Sequence, residues 1–146
     1  MAEGYVMDYR IEEMSIENFD EVMALWKASE GIVLTSVDTR KNIKRLLERN
    51  PGLSFVVLDE DKMVGAVLCS HDGRMGYLTH LVVNKTHRRK GLGRSLVGRC
   101  LYTLMSMGIR KCTLLVMKDE EGAMAFWESI GLEGRVDLLM MSQRSD

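Results

Sequence analysis

The sequence has little of several features that would place the chain in a specialised class of protein. Pro51 is its only proline, and no low-complexity tract suggests a linker, so we predict one domain over residues 1–146. No apolar run approaches the length of a membrane span. Cys69, Cys100 and Cys112 are odd in number and lack the spacing of a metal site, which argues against a disulfide framework and a zinc module. We therefore expect free, buried thiols, no metal, and a cytoplasmic protein.

The chain also lacks an excess of charge of either sign. Its 20 basic and 21 acidic residues give a net charge of −1, which is ordinary for a soluble protein. Only 6% of the residues are aromatic, and the clearest basic stretch is the loop Lys85–Arg94, so base-stacking platforms are scarce. The N-terminus carries Glu3 and Asp8 and no basic segment followed by an apolar one, so no secretory signal is predicted. These patterns argue against nucleic-acid and membrane partners.

The most informative stretch of the chain runs from Tyr77 to Gly98. Its first part, Tyr77–Val83, is mostly apolar and β-branched, which predicts a strand. Its last part begins a helix near Leu92, and the loop between the two contains four cations and two glycines. The amides at a helix N-terminus have no partner within the helix, and the helix dipole favours an anion there. A strand that leads through a basic, glycine-containing loop into a helix therefore predicts a phosphate-binding site.

Spacing separates this loop from two other phosphate-binding motifs. A dinucleotide fingerprint would need a small residue where Leu96 stands, and no Gly-Lys-Ser/Thr of a Walker motif occurs. The pattern Arg88-x-x-Gly91-x-Gly93 instead resembles the pyrophosphate-binding motif of the GNAT acetyltransferase superfamily, (Arg/Gln)-x-x-Gly-x-(Gly/Ala). From the loop alone, a solvated basic segment that caps a helix is the other interpretation.

The order of predicted elements is also similar to the GNAT fold, an α/β mixed sheet of six to seven strands with about four helices. Gly122–Leu132 resembles the late motif of that superfamily, with Ala123, Phe126 and Gly131 in matching positions. The predicted strands are Tyr5–Glu13, Leu53–Leu58, Met63–Cys69, Tyr77–Val83, Lys111–Met117 and Val136–Met141. The predicted helices follow caps at Ser15 and Asp38, begin near Leu92 and follow a cap at Asp119, and they end at Gly31, Asn50, Gly108 and Gly131.

The resemblance implies that acetyl-CoA is the cosubstrate. Its pyrophosphate would lie on the backbone amides of Arg89–Arg94, with Arg88, Arg89 and Lys90 as charge partners and Ser95 as a hydroxyl donor. Its pantetheine arm would lie along the strand Tyr77–Val83, where that strand splays from the next. The coenzyme-binding residues implied are Leu81, Val82, Val83, Arg88, Arg89, Lys90, Gly91, Leu92, Gly93, Arg94, Ser95 and Trp127.

The catalytic groups are less clearly marked. Imidazole is the side chain that titrates near neutrality, and His80 lies beside the implied acetyl position, so it is the first choice of base, with Glu30 and His71 as weaker choices. A hydrogen-bonded structural histidine is an equally good interpretation of His80. The superfamily often uses a tyrosine of the late motif as acid, but Trp127 stands there and an indole N–H is no useful acid. Glu120 stands near the position of the superfamily's asparagine.

The sequence therefore predicts an acetyl-CoA-dependent N-acetyltransferase that acetylates a primary amine of a small molecule or of a protein. A CoA-binding sensor without transfer activity is the alternative, supported by the missing tyrosine. The acceptor wall would be the loop Ile32–Asp38. The short C-terminal segment would leave the acceptor cleft open or have it completed by a second subunit in a homodimer.

Overall fold

The computed structural model describes residues 4–6, 8–117 and 121–145, with side chains for 8–117 and 122–145. The chain divides into two compact units, Met1–Leu115 and Val116–Asp146, and each is described by itself. Among the described residues, no helix has the length and apolar character needed to cross a membrane.

One mixed sheet dominates the described part of the first unit. Its six strands lie side by side in chain order, each antiparallel to the one before except the last, which is parallel to its neighbour. This confirms the predicted fold class. The strands are β1 (Gly4–Val6), β2 (Tyr9–Glu13), β3 (Phe55–Asp59), β4 (Lys62–His71), β5 (Gly76–Val83) and β6 (Cys112–Leu114).

The helices are α1 (Phe19–Ala28), α2 (Arg40–Arg49) and α3 (Leu92–Ser106) in the first unit and α4 (Glu121–Ser129) in the second. Thr39 caps α2, because its hydroxyl accepts a hydrogen bond from the Asn42 amide at 3.2 Å. Gly108, with φ of +84°, follows α3, and the Ile109 amide returns to the Leu104 carbonyl at 2.9 Å. This is the glycine-terminated helix end that the sequence predicts.

The helices of the first unit cover both faces of the sheet. Met14, Val22 and Trp26 pack with Val56 and other residues of one face. The neighbouring Val57 side chain lies on the opposite face, since side chains alternate along a strand, and that face is covered by α3. The buried positions on α3 are Leu92, Leu96, Val97, Cys100 and Leu104. Each fully buried leucine stabilises the fold by about 1.5–3 kcal/mol, so both layers fix the position of β5.

The structure corrects several predicted boundaries at the ends of the chain. The first predicted strand is two strands, because Val6 pairs with Tyr9 and the chain reverses between them. The predicted strand Val136–Met141 is wrong: residues 131–145 contain no strand, and these apolar side chains are largely exposed. The apolar run did not alternate, so it specified no face and no partner edge. The predicted cap Asp119 lies outside the described residues.

Two boundaries near the functional site also differ from prediction. Strand β6 is only Cys112–Leu114 rather than Lys111–Met117. Helix α1 begins at Phe19, after a 3₁₀ turn over Ile16–Asn18. Asp38 does not cap α2, since Thr39 does, and its carboxylate instead contacts β5.

Candidate active site at the end of strand β5

A bulge interrupts β5 at the position of the predicted base. Ala66 of β4 pairs with Val82, but Leu68 pairs with Thr79, so the single residue Val67 faces both His80 and Leu81. The extra residue places His80 in the left-handed region, with φ of +53°. This conformation costs a non-glycine residue about 1–2 kcal/mol. Bulges of this kind redirect backbone and side-chain groups and are frequent beside active sites.

The pairing of β5 with β6 ends just before this bulge. They pair at only three positions, from Gly76 with Cys112 to Leu78 with Leu114. In the described residues, the edge of β5 from Thr79 to Val83 therefore has no strand beside it. Val83 directs its carbonyl to this edge, where the Arg88 guanidinium donates to it at 3.0 Å. The pairing of β5 with β6 thus ends near the point where the resemblance implies a splay, and the splay itself stays a prediction.

Two side chains from the helical layer hold His80. The indole of Trp26, fully buried on α1, donates to the His80 carbonyl at 3.1 Å, and its ring meets the imidazole edge-on at 4.9 Å. The Nε2 atom of His80 lies 2.9 Å from Oδ1 of Asp38. The two side chains are 18% and 9% exposed, so the contact is largely shielded from water. Both contacts compensate for the unfavourable backbone conformation of His80.

The predicted phosphate loop ends β5 and begins α3. Gly91 is the residue before the helix, with φ of +79°, and no side chain caps the helix start. The first backbone bond of the helix runs from the Ser95 amide to the Gly91 carbonyl, so the amides of Leu92, Gly93 and Arg94 precede it. Arg89 is also left-handed, with φ of +64°. Left-handed residues in a turn can direct neighbouring amides toward one side, which suits an anion.

The charges around this helix start are exposed and unmatched. Within the described residues, Arg89, Lys90 and Arg94 make no ion pair, whereas Lys85 lies 3.7 Å from Glu30. The buried Leu92 side chain anchors the beginning of the helix below them. The donor set of free amides, guanidinium and ammonium groups therefore fits a diphosphate.

His87 fixes the first part of the phosphate loop, close to the end of β5. His87 Nε2 lies 3.0 Å from the Asp59 carboxylate at the end of β3, and its Nδ1 lies 2.7 Å from the Thr86 hydroxyl. Its ring also meets Tyr9 of β2 edge-on at 5.9 Å. The residue before Arg88 is thus tied to two neighbouring strands, which restricts where the phosphate loop can move.

Described residues of the first unit line a cavity beside the end of β5 and another beside α3. One of about 160 Å³ lies between the C-terminal end of α1 and the end of β5, and it reaches Arg88. Its lining includes Leu25, Val82 and Val83. A second of about 240 Å³ lies by the C-terminal end of α3 and is lined by none of the predicted site residues. The smaller cavity is the one that adjoins the bulge and the phosphate loop.

The cysteines offer no nucleophile. Cys69 and Cys100 are buried, and Cys112 is half-buried. A hydrogen bond with Cys69, together with burial, raises the pKa of the Cys100 thiol. Burial and the neighbouring Cys69 raise the pKa of Cys112 to about 11. A thiol that stays protonated is a poor nucleophile. The described residues also contain no group of side chains that could hold a metal ion.

The structure brings together most, but not all, of the residues predicted for the site. His80, the Leu81–Val83 backbone and the Arg88–Ser95 loop are consecutive parts of one strand–loop–helix unit. Trp127 belongs to the second unit, where its ring packs edge-on against Phe126 at 5.0 Å, and its role at the coenzyme stays a prediction. His71 lies at the end of β4, where it pairs with Gly76 at the start of β5, away from the bulge.

Sequence reasoning missed three features of this region. Asp38 stands before a helix, where an aspartate is normally a cap, and no local pattern links it to a histidine 42 residues away. No local pattern indicates that the Trp26 indole bonds the His80 carbonyl, 54 residues away. The basic residues are also not confined to the phosphate loop, because α2 carries several more. The exposed cations of α2 are Arg40, Lys41, Lys44, Arg45 and Arg49.

Comparison with known proteins gives one family. The model of the acetyltransferase (GNAT) family matches residues 19–132. An acetyltransferase of Sodalis glossinidius is 26% identical over 128 residues, 88% of this chain and 89% of that protein. An acetyltransferase of Yersinia pestis is 27% identical over 138 residues, 94% of this chain and 95% of that protein.

Solved structures with the same fold include an N-acetyltransferase from Thermoplasma acidophilum in complex with coenzyme A. It has a TM-score of 0.77 at 14% identity and covers 87% of this chain and 91% of its own. An aminoglycoside acetyltransferase from an uncultured soil sample has a TM-score of 0.75 at 17% identity and covers 95% of this chain and 97% of its own. At these identities the likeness is one of fold.

Proposed function

Because the chain belongs to the GNAT acetyltransferase family, we propose that it transfers the acetyl group of acetyl-CoA to a primary amine. The observation that carries the proposal is the uncapped start of α3, with left-handed Arg89 and Gly91 before it and unmatched cations around it. Free amides at a helix N-terminus bind the diphosphate, and the cations add charge complementarity. Each exposed cation adds no more than about 1 kcal/mol, so the amides are the main ligands.

The pantetheine arm lies along the open edge of β5. There it bonds the backbone of Leu81–Val83 as an added strand would, since that edge has no strand beside it in the described residues. An amide of this strand edge then lies close to the thioester carbonyl. A preorganised amide aimed at the developing oxyanion lowers the barrier to attack by the amine.

His80 is the base in this proposal. The acceptor amine is mostly protonated at neutral pH, with a pKa of about 10.4 for a lysine side chain, and must lose protons to attack. His80 at the bulge is placed to accept one, directly or through water. With Trp127 in the tyrosine position, the thiolate leaves without a side-chain acid, which thiol pKa values near 8.5 allow.

The acceptor lies against the loop Ile32–Asp38, which borders His80 through Asp38. Either a small-molecule amine or an amine of a protein fits this proposal. We place the protein in the cytoplasm, because its three cysteines are free thiols. A homodimer that completes the acceptor cleft, and a single domain over 1–146, are parts of the same proposal.

A panel of amines supplied with acetyl-CoA tests the proposal, with release of free CoA followed by a thiol reagent and the acetylated product by mass spectrometry. We expect amine-dependent CoA release. Calorimetry with CoA, run in parallel, separates the two functions that the sequence leaves open. Tight binding without turnover on any amine would favour the sensor, and absence of binding would reject both.

A further inference from the structure

The Asp38 carboxylate is held in place from both sides. Its Oδ1 lies 2.9 Å from His80 Nε2, and its Oδ2 accepts a hydrogen bond from the Thr35 amide at 2.9 Å. The Asp38 amide in turn donates to the Thr35 carbonyl at 3.1 Å. The turn 35–38 therefore fixes the direction of the carboxylate before it meets the imidazole.

This arrangement determines which nitrogen of His80 can accept a proton. An ionised carboxylate only accepts hydrogen bonds, so Nε2 must carry the proton of the neutral imidazole. Nδ1 is then the nitrogen with a free lone pair. No described residue donates a hydrogen bond to His80 Nδ1, so the lone pair of this nitrogen can accept a proton.

We propose that Asp38 is a positioning residue that sets the tautomer of His80 and makes Nδ1 the basic atom. The inference rests on the proposed function, in which His80 is the base. As the amine nitrogen forms its bond to the acetyl carbon, Nδ1 takes a proton from that nitrogen. The carbon–sulfur bond breaks, its electron pair leaves with the CoA sulfur, and the thiolate takes up a proton from solvent, while Nδ1 releases its proton to solvent and is neutral again. The products are the N-acetylated amine and CoA.

The position of Asp38 on the acceptor loop gives this contact a second consequence. The loop Ile32–Asp38 that would border the acceptor carries the group that orients the base. Any acceptor that displaces this loop also changes the hydrogen bond to His80. Asp38 thus couples acceptor binding to the orientation and tautomer of His80. A residue that only stabilised the fold would not have this effect.

The substitution Asp38→Asn is designed to change the tautomer of His80 while the loop Ile32–Asp38 keeps its shape. Asparagine keeps the size of the side chain and can still accept from the Thr35 amide through its oxygen. Its NH₂ group can only donate to Nε2, which moves the imidazole proton to Nδ1. Asp61→Asn is the matched control, because Asp61 is exposed in the turn between β3 and β4.

The first measurement is independent of turnover. The chain has three histidines, so a ¹⁵N-histidine spectrum contains three imidazoles, and His80→Gln identifies the signals of His80 by their loss. At a pH of about 8.5, where imidazoles are largely neutral, we expect the wild-type proton on Nε2. We expect it on Nδ1 in Asp38→Asn, and a mixture of both forms in Asp38→Ala. A wild-type proton on Nδ1, or an unchanged tautomer in both variants, would overturn the proposal.

The second measurement is steady-state kinetics on the same variants. Asp38→Asn should lower kcat about 100-fold, the size of a general-base contribution, with the KM for acetyl-CoA unchanged. Asp61→Asn should match the wild type. If His80→Gln keeps full turnover, the base assignment in the proposed function fails. If His80→Gln is inactive while Asp38→Asn turns over normally, only the role of Asp38 fails.

Discussion

At the scale of single residues, the clearest feature is a histidine held in a conformation that its side chain disfavours. A left-handed residue in a strand persists only where its surroundings determine it, and such positions cluster at functional sites. Here the surroundings are the Trp26 indole and the Asp38 carboxylate, which come from the helical layer rather than from the sheet. The strain therefore supports the interpretation of His80 as a functional group.

Replacement of His80 by alanine tests this interpretation directly. We expect turnover to fall about 100-fold, because a general base contributes roughly that much. The affinity for acetyl-CoA should be unchanged, because the phosphate loop is not touched. Initial rates and calorimetric titration with CoA measure the two quantities. His71→Gln, at the end of β4 and away from the bulge, is the control, and a fully active His80→Ala would rule out the assignment.

The thiols give a second prediction at this scale. With a pKa of about 11, roughly one Cys112 side chain in a thousand is ionised at pH 8, against about a quarter for a free cysteine. Iodoacetamide should therefore label the native protein at least about 100-fold more slowly than a model thiol. Intact-mass spectra over time measure this. Denatured protein should take up three labels, and rapid labelling of the native protein would contradict the burial of these side chains.

At the scale of elements, the site is one strand, one loop and one helix in succession. The sequence predicted this unit because each part has a local signal: β-branched residues, clustered cations with glycines, and a helical apolar period. It did not predict the bulge, since register depends on which residues face each other across strands, and the splay of β5 from β6 was implied only by the resemblance to the superfamily. It also produced a wrong final strand, because the apolar run at Val136–Met141 carried no information about a partner edge.

Gly91 allows a test of the helix start. A Cβ atom on Gly91 would meet no atom within 4 Å, so an aspartate there fills open space above the amides and repels a diphosphate. We expect Gly91→Asp to lower CoA affinity at least about 100-fold, which corresponds to about 2.7 kcal/mol. Calorimetric titration with CoA gives the value.

Gly108→Asp is the matched control for this substitution. Gly108 also has positive φ, at +84°, and open space at its Cβ position. It lies at the other end of α3, about 22 Å away for a helix of this length. Both variants should lose similar stability from the left-handed backbone, but Gly108→Asp should keep its affinity for CoA. Equal affinity in the two variants would show that the start of α3 does not bind the coenzyme.

At the scale of the whole molecule, charge and fold carry different information. The net charge of −1 describes the chain as a whole, although the phosphate loop and α2 are rich in cations. Composition alone therefore gave little indication of an anionic ligand. The order of elements was more informative, because the sequence of strands and helices is set by local patterns along the chain. The contact between Asp38 and His80 could not be predicted in this way, because it exists only once α1, the acceptor loop and β5 are assembled.

The proposed binding of CoA leads to a prediction for the stability of the protein. A ligand that binds only the folded state stabilises it by about 2.7 kcal/mol at a concentration of 100 times its Kd. For a chain of 146 residues this corresponds to a rise of about 5–10 °C in the unfolding midpoint. We expect CoA to produce this rise in differential scanning calorimetry.

Pantetheine separates the contribution of the phosphate loop from that of the open edge of β5. It has the arm that lies along β5 but no diphosphate, so at equal concentration it should raise the midpoint by no more than about 1 °C, because its Kd is far higher. Gly91→Asp should abolish the rise with CoA while its ligand-free midpoint stays close to that of Gly108→Asp. If pantetheine and CoA stabilised the protein equally, the strand edge would hold the coenzyme and the amides of α3 would not.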